Sequence, residues 1–170
     1  MNQTNDYGTN NHLQKQKMIT FIDAEVMENT KNSVSGIVQG TELIIIDSTR
    51  DGIEQITEIL AARQNIKSLQ IIASVKGKEG SLKIGSTQLN IDTLEAYVND
   101  LQQWRNALST TSEILIYGCL VVVESIFQNF IYQLAMITGA DIGAFVTFPD
   151  SLTAKGEESD RYSLMVAWRS

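Results

Sequence analysis

"ELIIIDSTRDGIEQITEIL", residues 42–60, is the stretch that decides the fold. Leu43-Ile44-Ile45-Ile46 is a continuous, β-branched apolar run, the pattern of a strand covered on both faces. Beyond the polar turn Asp47-Ser48-Thr49-Arg50, Asp51 and Glu54 stand at capping-box spacing. Ile53, Ile56 and Leu60 then fall on one face of a helix. A buried strand, a polar turn and an amphipathic helix make the repeating unit of an α/β sheet.

Working outward, the unit recurs. MITFID (18–23) is a short apolar run ending in Asp23, and residues 24–40 read as a loop able to hold a short helix. SLQIIASV (68–75) is a third strand. SLKIGSTQLN (81–90) alternates Leu82 and Ile84 ahead of Gly85-Ser86, the composition of a two-residue hairpin turn. In DTLEAYVNDLQQWRNAL (92–108), Asp92 and Glu95 repeat the capping-box spacing, and Leu94, Val98, Leu101 and Leu108 form the expected buried stripe. EILIYG (113–118) is a fourth strand. Phe127, Phe130, Ile131 and Leu134 mark a third helix, ended by Gly139. DIGAFV (141–146) and YSLMVAWR (162–169) read as further strands, joined by a surface loop containing Pro149 and Gly156. Trp104 and Trp168 fit core or rim packing. No internal repeat is present. Residues 1–17 hold little that could pack and read as a disordered tail, leaving 18–170 as one domain. Strands alternating with helices predict an α/β sandwich with a mostly parallel sheet between helical layers.

Composition narrows the functional classes. The chain has 170 residues with 43% hydrophobic content, enough for one core without disulfides. A single cysteine excludes an intrachain disulfide and a cysteine-rich zinc site. A net charge of −7 leaves no electrostatic footprint for nucleic acid or an anionic membrane. No apolar run is long enough to span a bilayer, and the polar N-terminus lacks an apolar signal core. The expectation is a cytoplasmic protein with no metal and no cofactor.

Ligands and catalytic groups of parallel sheets gather at the carboxyl ends of the strands. Those ends are Asp23, Asp47, Val75-Lys76-Gly77 and Gly118-Cys119. The two aspartates allow a metal reading, but Asp47 opens a helix-entry sequence, which favours capping or an Asp47–Arg50 pair. Cys119 is the sharper case. It is either a nucleophile presented at the sheet's rim or a small buried apolar residue.

Blocks along the chain carry a family resemblance: FID (21–23), IIIDSTRDGIEQITEIL (44–60), GKEGSLKIGSTQLN (77–90), LQQW (101–104), ILIYGC (114–119) and LAMITGADI (134–142). Together they resemble the DUF4347 domain, over about residues 18–148. That domain is found in bacteria, often near the front of large secreted, adhesin-like proteins. The resemblance implies a caspase-like, clan CD layout, in which a His-Gly follows one strand and a Cys follows the next. A thiolate attacks there, and the imidazole helps to generate it and protonates the leaving amine.

This chain keeps that frame and replaces the chemistry. Gly77 and Gly80 retain the glycine spacing, but Lys76 stands where the family has histidine. Cys119 is retained. The asparagine after it becomes Leu120, and the small polar turn becomes Val121-Val122-Val123, poor material for a flexible oxyanion loop. Lys76 as a base would require strong desolvation. The only histidine, His12, lies in the tail. The resemblance therefore implies a non-catalytic, caspase-like protein-interaction module. The alternative is a cysteine peptidase with Cys119 as nucleophile and an atypical partner. A partner-binding rim is expected at Lys76, Lys78, Leu120 and Val122, with the valines either packed inward or forming an apolar patch.

Overall fold

The computed structural model describes residues 17–29, 40–77, 80–118, 124–145 and 164–168. Their elements run β1 (Lys17–Asp23), α1 (Ala24–Asn29), β2 (Glu42–Ile46), α2 (Gly52–Leu60), β3 (Ile66–Ile72), β4 (Ser74–Lys76), β5 (Ser81–Ile84) and β6 (Thr87–Leu89). A 3₁₀ turn (Leu94–Tyr97), α3 (Val98–Ala107), β7 (Leu108–Tyr117), α4 (Glu124–Thr138), β8 (Asp141–Phe145) and β9 (Leu164–Trp168) complete the order. The main sheet has the order β2-β1-β3-β7-β8-β9. Its first five strands are parallel, and β9 joins β8 antiparallel.

Handedness of the crossovers explains the layers. The step from β1 to β2 runs toward one edge, and every later step runs toward the other, so right-handed connections must place their helices on opposite faces. The front face accordingly buries Ile53, Ile56 and Leu60 of α2, Leu101 and Trp104 of α3, and Phe127, Phe130 and Ile131 of α4. The back face receives α1, whose Val26 packs with Ile22 and Ile72. The result is the expected three-layer α/β sandwich around a mostly parallel sheet.

Four local expectations are corrected. β2 is an edge strand rather than one covered on both faces: Leu43 is 38% and Ile45 55% exposed. The central strands β1 and β3 take the covered positions, and the six-residue α1 is too short to cover β2 as well. The run 68–75 is not one strand, since β3 stops at Ile72 and Ser74–Lys76 pairs antiparallel with β5 in a separate sheet, β4-β5-β6. Asp92 is not a cap: Thr93 and Tyr97 stand at the N-caps of the 3₁₀ turn and α3 without side-chain cap bonds, and Asn90 Oδ1 accepts from Asp92 N (2.9 Å) and Thr93 N (3.0 Å) in the turn before them. The 3₁₀ turn follows, Val98 is only half-buried, and Leu108 has left the helix to open β7. β7 itself starts five residues before the expected 113, because Ser109–Ser112 bulge outward between the Ile66–Leu108 and Ser68–Glu113 pairs.

Elsewhere the pattern holds. Asp51 caps α2, its carboxylate accepting from Ile53 N and Glu54 N. Gly139 ends α4 with φ +68° and donates to Ala135 O at 2.8 Å. Arg105 of α3 donates to the carbonyls of Met136 (2.6 Å) and Ile137 (2.8 Å), so a cation satisfies the last turn of α4. Trp104 is 1% exposed, and its Nε1 donates to Thr57 Oγ1 at 2.9 Å, locking α3 to α2. Trp168 pairs in register with Ile142. Truncating Trp104 to Ala should cost roughly 3–5 kcal/mol, read as a lowered urea midpoint by circular dichroism.

Candidate functional site at the carboxyl edge

The carboxyl ends of β1, β3 and β7 are drawn together by a small set of polar contacts. Asp23 closes β1 and is 1% exposed. Its Oδ1 accepts from Glu25 N at 2.9 Å, capping α1, and its Oδ2 accepts from Gly85 N at 2.7 Å. Burying a carboxylate is costly unless its oxygens are hydrogen-bonded, and both of these are. Asp23 therefore fastens the β5–β6 turn to the end of the sheet.

That turn also docks on the start of α2. Gly85 has φ +59°, and a Cβ there would stand 2.3 Å from Arg50 O. A Cβ on Gly52 would meet Ile84 O at 2.2 Å. Two backbones approach so closely that only glycine fits at each crossing. Ser86 N donates to Arg50 O (2.8 Å), and Gly52 N donates to Thr87 Oγ1 (3.1 Å). Tyr97 adds its hydroxyl to Asp51 Oδ2 at 2.6 Å. Burial pushes the Asp51 carboxyl up, but hydrogen bonds from Tyr97, Glu54 N, Thr87 and Ile53 N together hold it below the usual range. The same bond raises the Tyr97 phenol.

The remaining strand-end carboxylates are engaged locally. Asp47 Oδ1 accepts from Thr49 N (2.8 Å) and Thr49 Oγ1 (2.7 Å), and these bonds hold its carboxyl below the usual carboxylate range. The expected Asp47–Arg50 pair gives way to Arg50–Glu58 at 3.1 Å. Gln55, buried inside α2, closes the β2–α2 turn by accepting from Asp47 N and donating to Asp47 O, each at 3.0 Å. Glu25 pairs with Lys83 at 3.0 Å, and its carboxyl is lowered chiefly by that hydrogen bond, with a smaller contribution from the charge of Lys76.

Val75 and Gly118, which precede the two motif positions, meet at this edge. β3 and β7 are parallel neighbours, with Ile72 opposite Tyr117, and Ala73 N donates to Tyr117 O at 3.1 Å. The chain then crosses above Gly118, where a Cβ would lie 2.8 Å from Val75 Cγ2 and 3.1 Å from Ala73 O. Lys76, next after Val75, is exposed. Gly77 (φ +76°) and Gly80 (φ +70°) frame a turn closed by Gly80 N donating to Gly77 O at 3.2 Å. Thus Lys76, the last residue of β4, follows directly on the Val75 side chain that packs against Gly118 at the carboxyl end of β7. Cys119, Leu120, Val122, Lys78 and His12 lie outside the described residues. Sequence reasoning did not find Gln55, Thr87 or Tyr97 as members of this edge. A polar Gln55 among the apolar positions of α2 was the one visible signal.

A family model described as a domain of unknown function, DUF4347, matches residues 19–149. The chain belongs to the DUF4347 family. No curated protein and no solved structure matches it. Within the DUF4347 match lie all the contacts of Asp23, Asp51, Gly85 and Gly118 described above. None of the helices in the described residues is long and apolar enough to cross a membrane.

Two measurements check this edge. Gly118→Ala should lower stability by roughly 1–3 kcal/mol through overpacking against Val75, seen as a reduced urea midpoint. The Asp51 carboxyl is lowered in the fold, so its stabilisation is complete above its unfolded value near pH ~4 and fades as pH falls through the lower folded value. Asp51→Asn should therefore lose stability at pH 7, and its gap to the native chain should narrow in acid.

Proposed function

We propose that this DUF4347 chain is a non-catalytic, caspase-like interaction module whose former catalytic rim binds a protein partner. The observation that carries the reading is Lys76. In this reading it occupies the histidine position of the family pattern, directly after Val75, which packs against Gly118, and it is exposed. A water-accessible ammonium stays protonated near neutrality and neither accepts a thiol proton nor acts as imidazole does. His12 is the only imidazole in the sequence, and it lies outside the folded strands and helices described.

The proposed rim combines Lys76 with Lys78, Leu120 and Val122, the last three outside the described residues, on a chain of net charge −7. Two cations beside apolar side chains suit a partner that presents an apolar residue flanked by carboxylates. The second reading, a cysteine peptidase using Cys119, is favoured by one feature. Gly118 packs under Val75, so Cys119 still follows directly on the strand end next to Lys76.

A mixed peptide library separates the two. Incubated with the native chain and with Cys119→Ala, it should yield identical, uncleaved profiles by mass spectrometry. Cleavage that disappears with the cysteine would establish the peptidase and end the non-catalytic reading. For the surface, Val122→Asp combined with Lys78→Glu should reduce partner recovery at least tenfold while the circular dichroism spectrum is retained. Unchanged recovery would place the interaction elsewhere.

A further inference from the structure

The outer edge of the main sheet has a feature that does not depend on what the Lys76 rim binds. β2 ends the strand order, so among the described strands only β1 lies beside it. Edge strands offer a row of backbone N–H and C=O groups to any further strand, and proteins discourage that pairing with lysines, prolines or bulges on the edge. Glu42-Leu43-Ile44-Ile45-Ile46 has none of these. Its register with β1 runs unbroken from Glu42 to Ile46, whereas the β1–β3, β3–β7 and β8–β9 pairings each contain a shift. Its one charge, Glu42, stands at the first residue and is held by Arg63 at 2.6 Å. Alternate residues of a strand share a face, so Leu43 and Ile45, 38% and 55% exposed, lie side by side on the back of the sheet. An open backbone edge and an adjoining apolar patch therefore coincide on one short strand.

The strand's own sequence selects the occupant. Directly opposed residues of an antiparallel pair lie on the same face and interact there. A two-fold axis at Ile44 sets Ile44 against its own copy and Leu43 against Ile45 of the second copy. Leu43 and Ile45 of both copies then join in one apolar cluster on the back face. An axis at Ile45 would set Leu43 against Asp47, and one at Leu43 would set Ile45 against Thr41. Only the Ile44 centre matches the exposed side chains apolar to apolar. Charge permits the same register. The two Glu42 residues fall at opposite ends of the seam, roughly 13 Å apart along the strands, beyond the Debye length of about 8 Å at physiological salt. Each also keeps its own Arg63. Two copies of net charge −7 still repel at long range, so added salt should favour their association.

We propose that β2 is a self-association edge, at which two copies of this chain pair antiparallel about Ile44 into a closed, two-fold dimer with one sheet running through both. The interface is small, so the dimer forms at high chain concentration and dissociates on dilution. Sedimentation velocity from micromolar to near-millimolar chain should show monomer passing to dimer and no further, with the dimer favoured by added salt. Ile45→Lys and Leu43→Lys, each placing a cation on an exposed seam position, should weaken association roughly tenfold or more while the circular dichroism spectrum is retained. The register has its own test. Opposed Cα atoms of an antiparallel pair stand about 4.5–5.5 Å apart, within disulfide reach. Ile44→Cys in a Cys119→Ser background should therefore give an interchain disulfide under mild oxidation. Ile126→Cys, at an exposed position of α4, should give none. A native chain that stays monomeric over the whole range would overturn the proposal. So would a dimer that survives both lysine variants, or crosslinking at position 44 no faster than at position 126.

Discussion

The carboxylate of Asp23 is the contact on which the carboxyl edge depends. Placed at the end of a central strand and 1% exposed, it survives burial because each oxygen accepts a backbone N–H. One bond starts α1, and the other reaches Gly85, 62 residues further along the chain. With Gly85 held, its backbone lies against Arg50 and Gly52, and the N-terminus of α2 is positioned by the same turn. Asp51, Thr87 and Tyr97 then complete a polar cluster that joins both sheets to the helical layer. Removing any backbone crossing glycine would push these layers apart rather than merely strain a turn.

This anchoring has a functional consequence. A rigidly held edge keeps the ends of β3 and β7 level, with Gly118 packed beneath Val75, whatever chemistry the neighbouring residues supply. The frame and the reactive groups are physically separate: backbone bonds and glycines hold the first, and single side chains carry the second. On the proposed function, exchange of the one side chain at Lys76 removes an imidazole without disturbing the scaffold. In the reading proposed here, the module preserves the concave edge and puts charge and apolar contact where a proton relay would stand.

Much of the architecture was legible in the amino-acid order because buried strands and amphipathic helices announce themselves by composition and period. MITFID, ELIIID and EILIYG each gave a parallel strand, and the Ile53, Ile56, Leu60 stripe gave α2. What stayed hidden was set by neighbours distant in sequence. The ELIIID run looks fully covered, but its place outside β1 leaves Ile45 55% exposed. SLQIIASV looks continuous, yet the chain must turn at Ala73 to cross Gly118. Asp92 has the right spacing for a cap, but it sits inside an Asx turn in which Asn90 accepts from the amides of Asp92 and Thr93, and the helix starts beyond it. At the site, the shared edge of Val75 and Gly118 followed from the strand order, though Val75 sits there on β4 of the second sheet and not on a strand parallel to β7. The Asp23–Gly85 link did not, because a carboxylate's partner across two sheets leaves no periodic trace.

The central claim is that the fold retains a nucleophile position without the means to activate it, and the ionisation of Cys119 measures that directly. The rate of iodoacetamide alkylation of the folded chain, followed from pH 5 to 10 by intact mass, reports the thiolate fraction. The account predicts slow reaction at neutral pH with a midpoint at or above the free-thiol value of about 8.5. A midpoint near pH 6 or below, with rapid stoichiometric modification at neutrality, would show an activated thiolate and contradict it.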